Sequence, residues 1–157
     1  MGGVERKLIL ALATGIGVGY FPFFPGTMGT FLAVPLSVAV NRLAAHSLLQ
    51  GSLTLVTFIC AAVWVSSRGE IFLARKDPGN IVIDEIAGFL VANFIAPPGL
   101  MALALAFVLF RIFDIIKVFP ASRLQTLAGG LGIVADDVIA GIYTFVILRV
   151  FSSMGLI

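Results

Sequence analysis

The 157-residue sequence has a single cysteine and a single histidine. Cys60 alone cannot form an internal disulfide. Together with His46, it also cannot supply the several sulfur or imidazole ligands of a zinc site. These two counts exclude a disulfide-stapled fold and chemistry based on paired histidines.

Charge is scarce as well. Ten basic and eight acidic residues make up 11% of the chain, whereas soluble domains carry about 25% charged residues. The net charge of +2 is small and the basic residues are scattered, which excludes a nucleic-acid-binding surface. Hydrophobic residues make up 60% of the sequence, and so small a chain cannot hide them all from water. The composition predicts an integral membrane protein.

Long runs without charge indicate where the chain would cross a membrane. They cover residues 8–41, 43–67 and 86–110. A spanning helix needs about 20 apolar residues, and 43–67 is long enough by itself. Residues 28–41 are also predicted to cross, although they are short for a span. We expect residues 8–20 before them to form an interfacial or re-entrant helix.

Pro97-Pro98-Gly99 interrupts the third run and predicts a hairpin between spans at 81–96 and 99–119. A last span is predicted at 133–151. The sequence therefore predicts an all-α, multi-pass bundle of about four to five spans that forms a single domain over residues 1–157.

The hairpin brings most of the charged residues to one membrane face. Eight of the ten basic residues fall on this face, and only Arg42 and Arg149 fall on the other, so the positive-inside rule predicts that it is cytoplasmic.

Six of the eight acids lie in or beside the predicted spans on this face: Asp77, Asp84, Glu85, Asp114, Asp136 and Asp137. Ionisable groups at such positions are costly and are usually functional. Converging carboxylates without histidine or cysteine favour a hard cation such as Mg²⁺, although each acid could instead pair with a nearby Arg or Lys.

Basic residues near the acids could bind a phosphate. Arg111, Asp114 and Lys117 repeat charge at i, i+3 and i+6, which would place all three on one helix face. A phosphate could then lie between Arg111 and Lys117, with Asp114 holding a metal or orienting Lys117. The alternative is an i, i+3 ion pair at the membrane interface, with Lys117 extended towards water.

Two glycine-containing segments are also candidate phosphate sites. Gly129 and Gly130 precede a predicted helix whose first turn holds Asp136 and Asp137, and free amide groups at a helix start bind anions. Thr27 and Thr30 lie among glycines before an apolar run, a pattern that can form an anion-binding nest. The alternative for the second segment is a helix start capped by one of these threonines.

These residues favour metal-assisted hydrolysis by an activated water, because carboxylates and cations converge without a recognisable nucleophile motif. A small cation transporter or channel would use the same acids as an ion path. Such a path needs polar groups throughout the depth of the membrane, whereas here they collect at one face. A purely structural membrane subunit would leave the converging acids unexplained.

Four segments resemble, in order and spacing, motifs of the phosphatidylglycerophosphatase A family. The resemblance extends from about residue 15 to residue 150. The segments are Pro25-Gly26-Thr27 with Gly29-Thr30, Ile81-Val82-Ile83-Asp84-Glu85, Phe110-Arg111-Ile112-Phe113-Asp114-Ile115-Ile116-Lys117, and Gly129-Gly130-Leu131-Gly132 through Asp136-Asp137-Val138-Ile139-Ala140-Gly141.

The resemblance implies a Mg²⁺-dependent, all-helical phosphatase of the bacterial inner membrane. Its substrate would be the lipid phosphatidylglycerophosphate, and its product phosphatidylglycerol. Arg111 and Lys117 would face the phosphate. The metal-binding and catalytic acids would be Asp84, Glu85, Asp114, Asp136 and Asp137, with Lys117 also catalytic. The family's Lys-Pro-Trp-Pro segment is replaced here by Lys117-Val118-Phe119-Pro120, and Asp77 is only a secondary candidate ligand.

Overall fold

Seven α-helices and a single-turn 3₁₀ helix, Val18–Tyr20, account for the regular structure in a computed structural model that describes residues 2–124 and 127–157. Neither of these two stretches contains a β-strand, which confirms the predicted all-α class. The α-helices are α1 (Gly3–Ala13), α2 (Pro25–His46), α3 (Leu48–Leu73), α4 (Ile83–Ala92), α5 (Leu100–Ile116), α6 (Ala121–Leu124) and α7 (Gly130–Ser153).

Three of the helices, α2, α3 and α7, are long and apolar enough to cross a membrane. They contain 22, 26 and 24 residues, and at about 1.5 Å per residue each exceeds the roughly 30 Å of a hydrocarbon core. Large apolar side chains stay exposed along α3, including Leu53, Val56 and Trp64. Such an apolar surface is stable against lipid rather than water.

The short helix α4 forms the centre of the bundle. Eight of its ten residues are buried, and it packs against α2, α3, α5 and α7. The rings of Phe89 and Phe110 meet edge to face at 5.9 Å in this core. Phe31 of α2 and Phe107 of α5 lie 4.5 Å apart, which brings the two outer helices together beside α4. Four long helices thus surround one short helix that is apolar on nearly every side.

The far end of α4 is closed by side chains from its neighbours. Asn41 donates a hydrogen bond to the Asn93 carbonyl at 2.7 Å and accepts one from the Ile95 amide at 2.8 Å. Arg149 of α7 donates to the Ile95 carbonyl. These contacts satisfy backbone groups that a helix end leaves without partners inside the bundle. The chain then turns at Pro97-Pro98-Gly99 into α5, as the sequence predicts.

Several helix boundaries differ from the predicted ones. α2 continues through Arg42 to His46, and α3 begins at Leu48 after Ser47 caps it by accepting a hydrogen bond from the Gln50 amide. A charged residue near the membrane surface need not end a helix, since its side chain can reach water. α4 measures only about 15 Å, half of a hydrocarbon core, so the 81–96 segment is not one long helix.

The N-terminal helix α1 packs along the last turns of α3. Arg6 donates to the Phe72 carbonyl at 3.2 Å, and Glu5 lies 3.9 Å from Arg68. A Cβ atom added at Gly69 would lie 3.2 Å from the Ala13 side chain, so the two helices approach closely there. α1 therefore lies beside the end of the bundle that carries the first turn of α4.

Candidate active site

Three carboxylates converge at the start of α4. Asp84 and Glu85 occupy its first turn, and Asp137 comes from the second turn of α7. One carboxylate oxygen from each of the three lies within 4.8 Å of the other two. Asp84 and Asp137 are buried, and Glu85 is partly buried. We call Asp84, Glu85 and Asp137 the acid cluster.

Two glycines allow α4 and α7 to bring these acids together. Gly88 follows Asp84 by one helical turn, and Gly141 follows Asp137 by one turn. A Cβ atom at Gly88 would lie 2.6 Å from the Asp137 carbonyl oxygen, and one at Gly141 would collide with the Gly88 carbonyl. Only glycine permits this approach of the two backbones. Sequence reasoning missed this pair, although the placement of a glycine one turn after each acid is a visible signal.

The other two predicted acids each pair with a cation beside the cluster. Arg111 of α5 forms a partly buried ion pair with Asp114, three residues later on the same helix. Lys117 bonds to Asp136 of α7. The two cations thus remain next to the acids, as the sequence predicts, but each already holds one carboxylate.

Lys117 reaches α7 because α5 ends immediately before it. The helix stops at Ile116, and Lys117 takes a left-handed conformation with φ of 51°. The prediction that all three charged residues lie on one helix face is therefore wrong for Lys117. The i, i+3 ion pair of Arg111 and Asp114 is present. Partial burial alone would lower the pKa of Lys117, but the bond to Asp136 and the charges of Asp136, Asp137 and Asp114 outweigh it and raise the pKa. The side chain therefore remains a cation.

The negative charge of the acid cluster is not compensated by ion pairs among the residues that the structure describes, so a further cation could bind there. Within the two described stretches, no member of the acid cluster forms an ion pair with Arg or Lys. Buried oxygens of Asp84, Glu85 and Asp136 have no hydrogen-bond partner in the described part of the chain. Buried carboxylates without compensation are costly, and oxygen-only ligands suit Mg²⁺. The side chains present therefore fit a divalent cation.

The first turn of α2 closes one side of the site. A Cβ atom at Gly26 would collide with the Glu85 carboxylate and lie 3.2 Å from Nη1 of Arg111. Gly26 was not among the predicted site residues, although Thr27 and Thr30 beside it were. Thr27 is half-buried in the same turn, whereas Thr30 is fully buried and donates its hydroxyl to the Gly26 carbonyl at 3.0 Å.

The helix α2 begins earlier than a threonine cap requires. Its first residue is Pro25, and the capping position is Phe24, whose side chain makes no capping hydrogen bond. The alternative interpretation, a helix start capped by Thr27 or Thr30, is therefore wrong. Proline suits the first helical position because it has no N–H to leave unsatisfied.

Gly129 and Gly130 lie against α3. The Gly130 amide donates to the Ser67 hydroxyl at 2.9 Å, and a Cβ atom at Gly130 would collide with the Val63 carbonyl. Since α7 begins at Gly130, Asp136 and Asp137 lie in its second turn rather than in the first. The helix start is therefore separated from the acids by more than one turn, and phosphate binding by Gly129 and Gly130 stays a prediction.

Asp77 lies outside the acid cluster. It is exposed in the loop between α3 and α4, and its amide donates to Glu70 at 3.2 Å. The structure therefore gives Asp77 no contact with the three converging carboxylates.

Comparison with known proteins agrees with the resemblance that the sequence motifs indicate. The family model of phosphatidylglycerophosphatase A matches residues 11–152. A Bacteroides thetaiotaomicron protein, provisionally named a phosphatidylinositol-3-phosphatase, is 33% identical over 148 residues, which cover 91% of this chain and 92% of the relative. Phosphatidylglycerophosphatase A of Escherichia coli is 33% identical over 87% of this chain and 79% of its own length. That of Haemophilus influenzae is 34% identical over 87% and 84%. No solved structure is significantly similar.

Proposed function

The chain belongs to the phosphatidylglycerophosphatase A family, and we propose that it removes the terminal phosphate of phosphatidylglycerophosphate to give phosphatidylglycerol. Membership makes the protein a phosphatase, a phosphoric monoester hydrolase, and its three apolar helices make it a membrane protein. The observation that carries the proposal is the acid cluster of three carboxylates with two cations beside it.

The acid cluster is the proposed holder of Mg²⁺. Asp84, Glu85 and Asp137 would be its ligands, and Asp136 and Asp114 would complete the negative surroundings. When bound, the ion would supply Lewis acidity that offsets the negative charge of the phosphate. The unpartnered buried oxygens of Asp84 and Glu85 support this role.

Arg111 and Lys117 are the proposed phosphate-binding cations. Asp114 and Asp136 hold these two side chains against the site, so they need little reorganisation when the substrate arrives. The guanidinium of Arg111 can donate two parallel hydrogen bonds to phosphate oxygens, while Lys117 acts as a point charge. Thr27 lies one residue after Gly26 and could add a hydroxyl donor. The proton of the attacking water would pass to a carboxylate of the site.

We place the site at the cytoplasmic face of the bacterial inner membrane. Helices α2, α3 and α7 would cross the bilayer, and α5 would form a fourth span, with α4 reaching about halfway. The excess of basic residues at the acid-bearing end supports this orientation. Residues 1–157 would act as one domain, since α4 contacts all four of these helices.

The alternative function considered from the sequence, a small cation transporter or channel, gains no support from the geometry. The converging carboxylates lie at one end of α4. At its other end, Asn41 and Arg149 bind backbone carbonyls. The buried groups between the two ends are mainly apolar, as Phe89 and Leu90 illustrate.

The direct test is phosphate release by the purified protein from phosphatidylglycerophosphate in mixed micelles. We expect activity with Mg²⁺ and none after chelation. Phosphatidylinositol 3-phosphate should be measured in parallel, because one relative carries that substrate in its name. Faster hydrolysis of the inositol lipid would overturn the proposed substrate, and equal activity in excess chelator would overturn the proposed metal.

A further inference from the structure

A group of large aromatic side chains is exposed beside the site. We call residues 20–24, which run from the end of the 3₁₀ helix to the start of α2, the aromatic loop. In it Tyr20 is 59% exposed, Phe21 47%, Phe23 70% and Phe24 76%. The loop leads directly into Pro25 and Gly26, and Gly26 lies against Glu85 and Arg111. Exposed aromatic groups at the charged end of the protein would be unfavourable in water.

The base of the aromatic loop is held firmly, so its exposure is a feature of the fold. Gly19 is buried so closely against the Asn80 backbone that a Cβ atom would collide with the Asn80 carbonyl. The Phe21 amide donates to the Val18 carbonyl at 2.9 Å. Phe24 adopts a left-handed conformation with φ of 55°, which is unfavourable for a bulky residue. The backbone therefore carries strain where it turns Phe24 outwards before α2.

The helix before this loop presents a second apolar surface. Val4, Leu8 and Leu12 are exposed at intervals of four residues, while Ile9 and Ala13 on the opposite side are buried. The spacing places the exposed residues along one face of α1. An exposed apolar face next to Arg6 and Lys7 is typical of a helix that lies in a membrane interface.

The surroundings indicate which partner covers these surfaces. The same chain has three helices long and apolar enough to span a bilayer, so a lipid interface passes close to this end of the bundle. Aromatic rings are enriched at the level of lipid head groups, where one edge contacts water and the other contacts hydrocarbon. A lipid leaflet therefore fits the exposed rings better than water does.

We propose that the aromatic loop lies in the lipid interface and contacts the glycerol backbone and upper acyl chains of a phospholipid whose phosphate lies at Arg111. This proposal rests on the proposed function and adds to it a source of specificity. The site would favour phosphomonoesters carried by a membrane lipid over the same head group without acyl chains. Phe23 and Phe24, which are the most exposed and the nearest to Gly26 in the chain, would contribute most.

The first experiment measures lipid placement without any assay of activity. Phe23→Trp is introduced into a Trp64→Phe background, which removes the only native tryptophan. We expect lipids brominated near the start of their acyl chains to quench its fluorescence in vesicles. Lys76→Trp in the same background is the control, because Lys76 is exposed in the charged loop before α4 and should not be quenched. Quenching of Phe23→Trp no stronger than that of Lys76→Trp would overturn the proposal.

The second experiment measures specificity. Phosphate release is compared between phosphatidylglycerophosphate in vesicles and its deacylated head group in solution. Phe23→Ala/Phe24→Ala should lower the ratio of lipid to head-group hydrolysis about tenfold, since two rings that would contact the lipid are lost. Phe23→Leu/Phe24→Leu should restore most of the ratio.

Leu48→Ala/Leu49→Ala is the matched control, because it removes two exposed apolar side chains at the opposite end of α3. In this control variant, the ratio of lipid to head-group hydrolysis should equal that of the wild type. An unchanged ratio in Phe23→Ala/Phe24→Ala would overturn the specificity role, as would a lowered ratio that accompanies a change in oligomeric state. If the wild type hydrolysed neither compound, the proposed function and the specificity role would both fail, while the quenching experiment would still decide the lipid placement.

Discussion

The buried charges at the start of α4 fall into two groups. Arg111 and Lys117 each hold one acid in an ion pair, whereas the acid cluster has no such partner among the described residues. Sequence reasoning predicted the members of both groups, because ionisable residues are rare in so apolar a chain. It offered the ion pair of Arg111 and Asp114 as one alternative. It could not predict the pair of Lys117 and Asp136, since a single left-handed residue at the end of α5 turns Lys117 towards α7.

Arg111 offers a test of phosphate binding that preserves charge. Arg111→Lys keeps the cation beside Asp114 but loses the planar group that donates two parallel hydrogen bonds. We expect the KM for the lipid substrate to rise about tenfold with a smaller change in kcat. Arg75→Lys, on the exposed loop before α4, should leave both constants unchanged. Steady-state kinetics in mixed micelles provide the measurement, and an unaltered KM in Arg111→Lys would contradict the assignment.

Gly26 provides a second test at the residue scale. Gly26→Ala would place a methyl group against the Glu85 carboxylate and near Arg111. Because small displacements of catalytic groups are costly, we expect kcat/KM to fall about 100-fold. Gly3→Ala in α1 serves as the control, since a Cβ atom there meets no neighbouring atom. Comparable activity of the two variants would show that this close approach does not matter for the reaction.

The helices α4 and α7 position the acid cluster through direct contact of their backbones. Gly88 and Gly141 make this contact possible, and each lies one turn after an acid of the cluster. The sequence predicted both helices and the hairpin after α4. It did not predict how short α4 is, because its end depends on hydrogen bonds from Asn41 and Arg149, which come from distant parts of the chain.

Gly141→Ala tests whether this helix contact supports the site. The added methyl group would collide with the Gly88 carbonyl and push α7 away from α4. We expect the free energy of unfolding to fall by about 1–3 kcal/mol, together with a loss of activity. Gly79→Ala, at an open loop position, should change neither. Thermal unfolding in detergent and phosphate release provide the measurements, and a wild-type melting temperature in Gly141→Ala would contradict the role of the contact.

Across the whole molecule, scarce charge and abundant apolar surface predict a membrane protein, and three helices long enough to span agree with this. The sequence also separated the two ends correctly: Arg149 binds the Ile95 carbonyl at one end of α4, and the acid cluster lies at the other. The number of spans was harder to predict, because α4 is buried among protein helices and needs no full membrane length.

Orientation in the membrane can be measured with introduced cysteines. Cys60→Ala first removes the only native thiol. Lys76→Cys then marks the acid-bearing end, and His46→Cys marks the opposite end; both positions are exposed. In intact spheroplasts, an impermeant thiol reagent should label only His46→Cys, whereas Lys76→Cys should react after permeabilisation. The reverse pattern would place the site outside the cytoplasm.

The central claim is that Asp84, Glu85 and Asp137 hold the Mg²⁺ required for phosphate release. The most direct measurement is a Mg²⁺ titration of lipid hydrolysis by the wild type, Asp137→Asn and Asp77→Asn. Asp77→Asn removes an exposed carboxylate outside the acid cluster, so it should follow the wild-type curve to the same plateau. Asp137→Asn should stay at least about 100-fold below that plateau at every Mg²⁺ concentration, because a ligand and its charge are lost. Wild-type activity in Asp137→Asn would contradict the account.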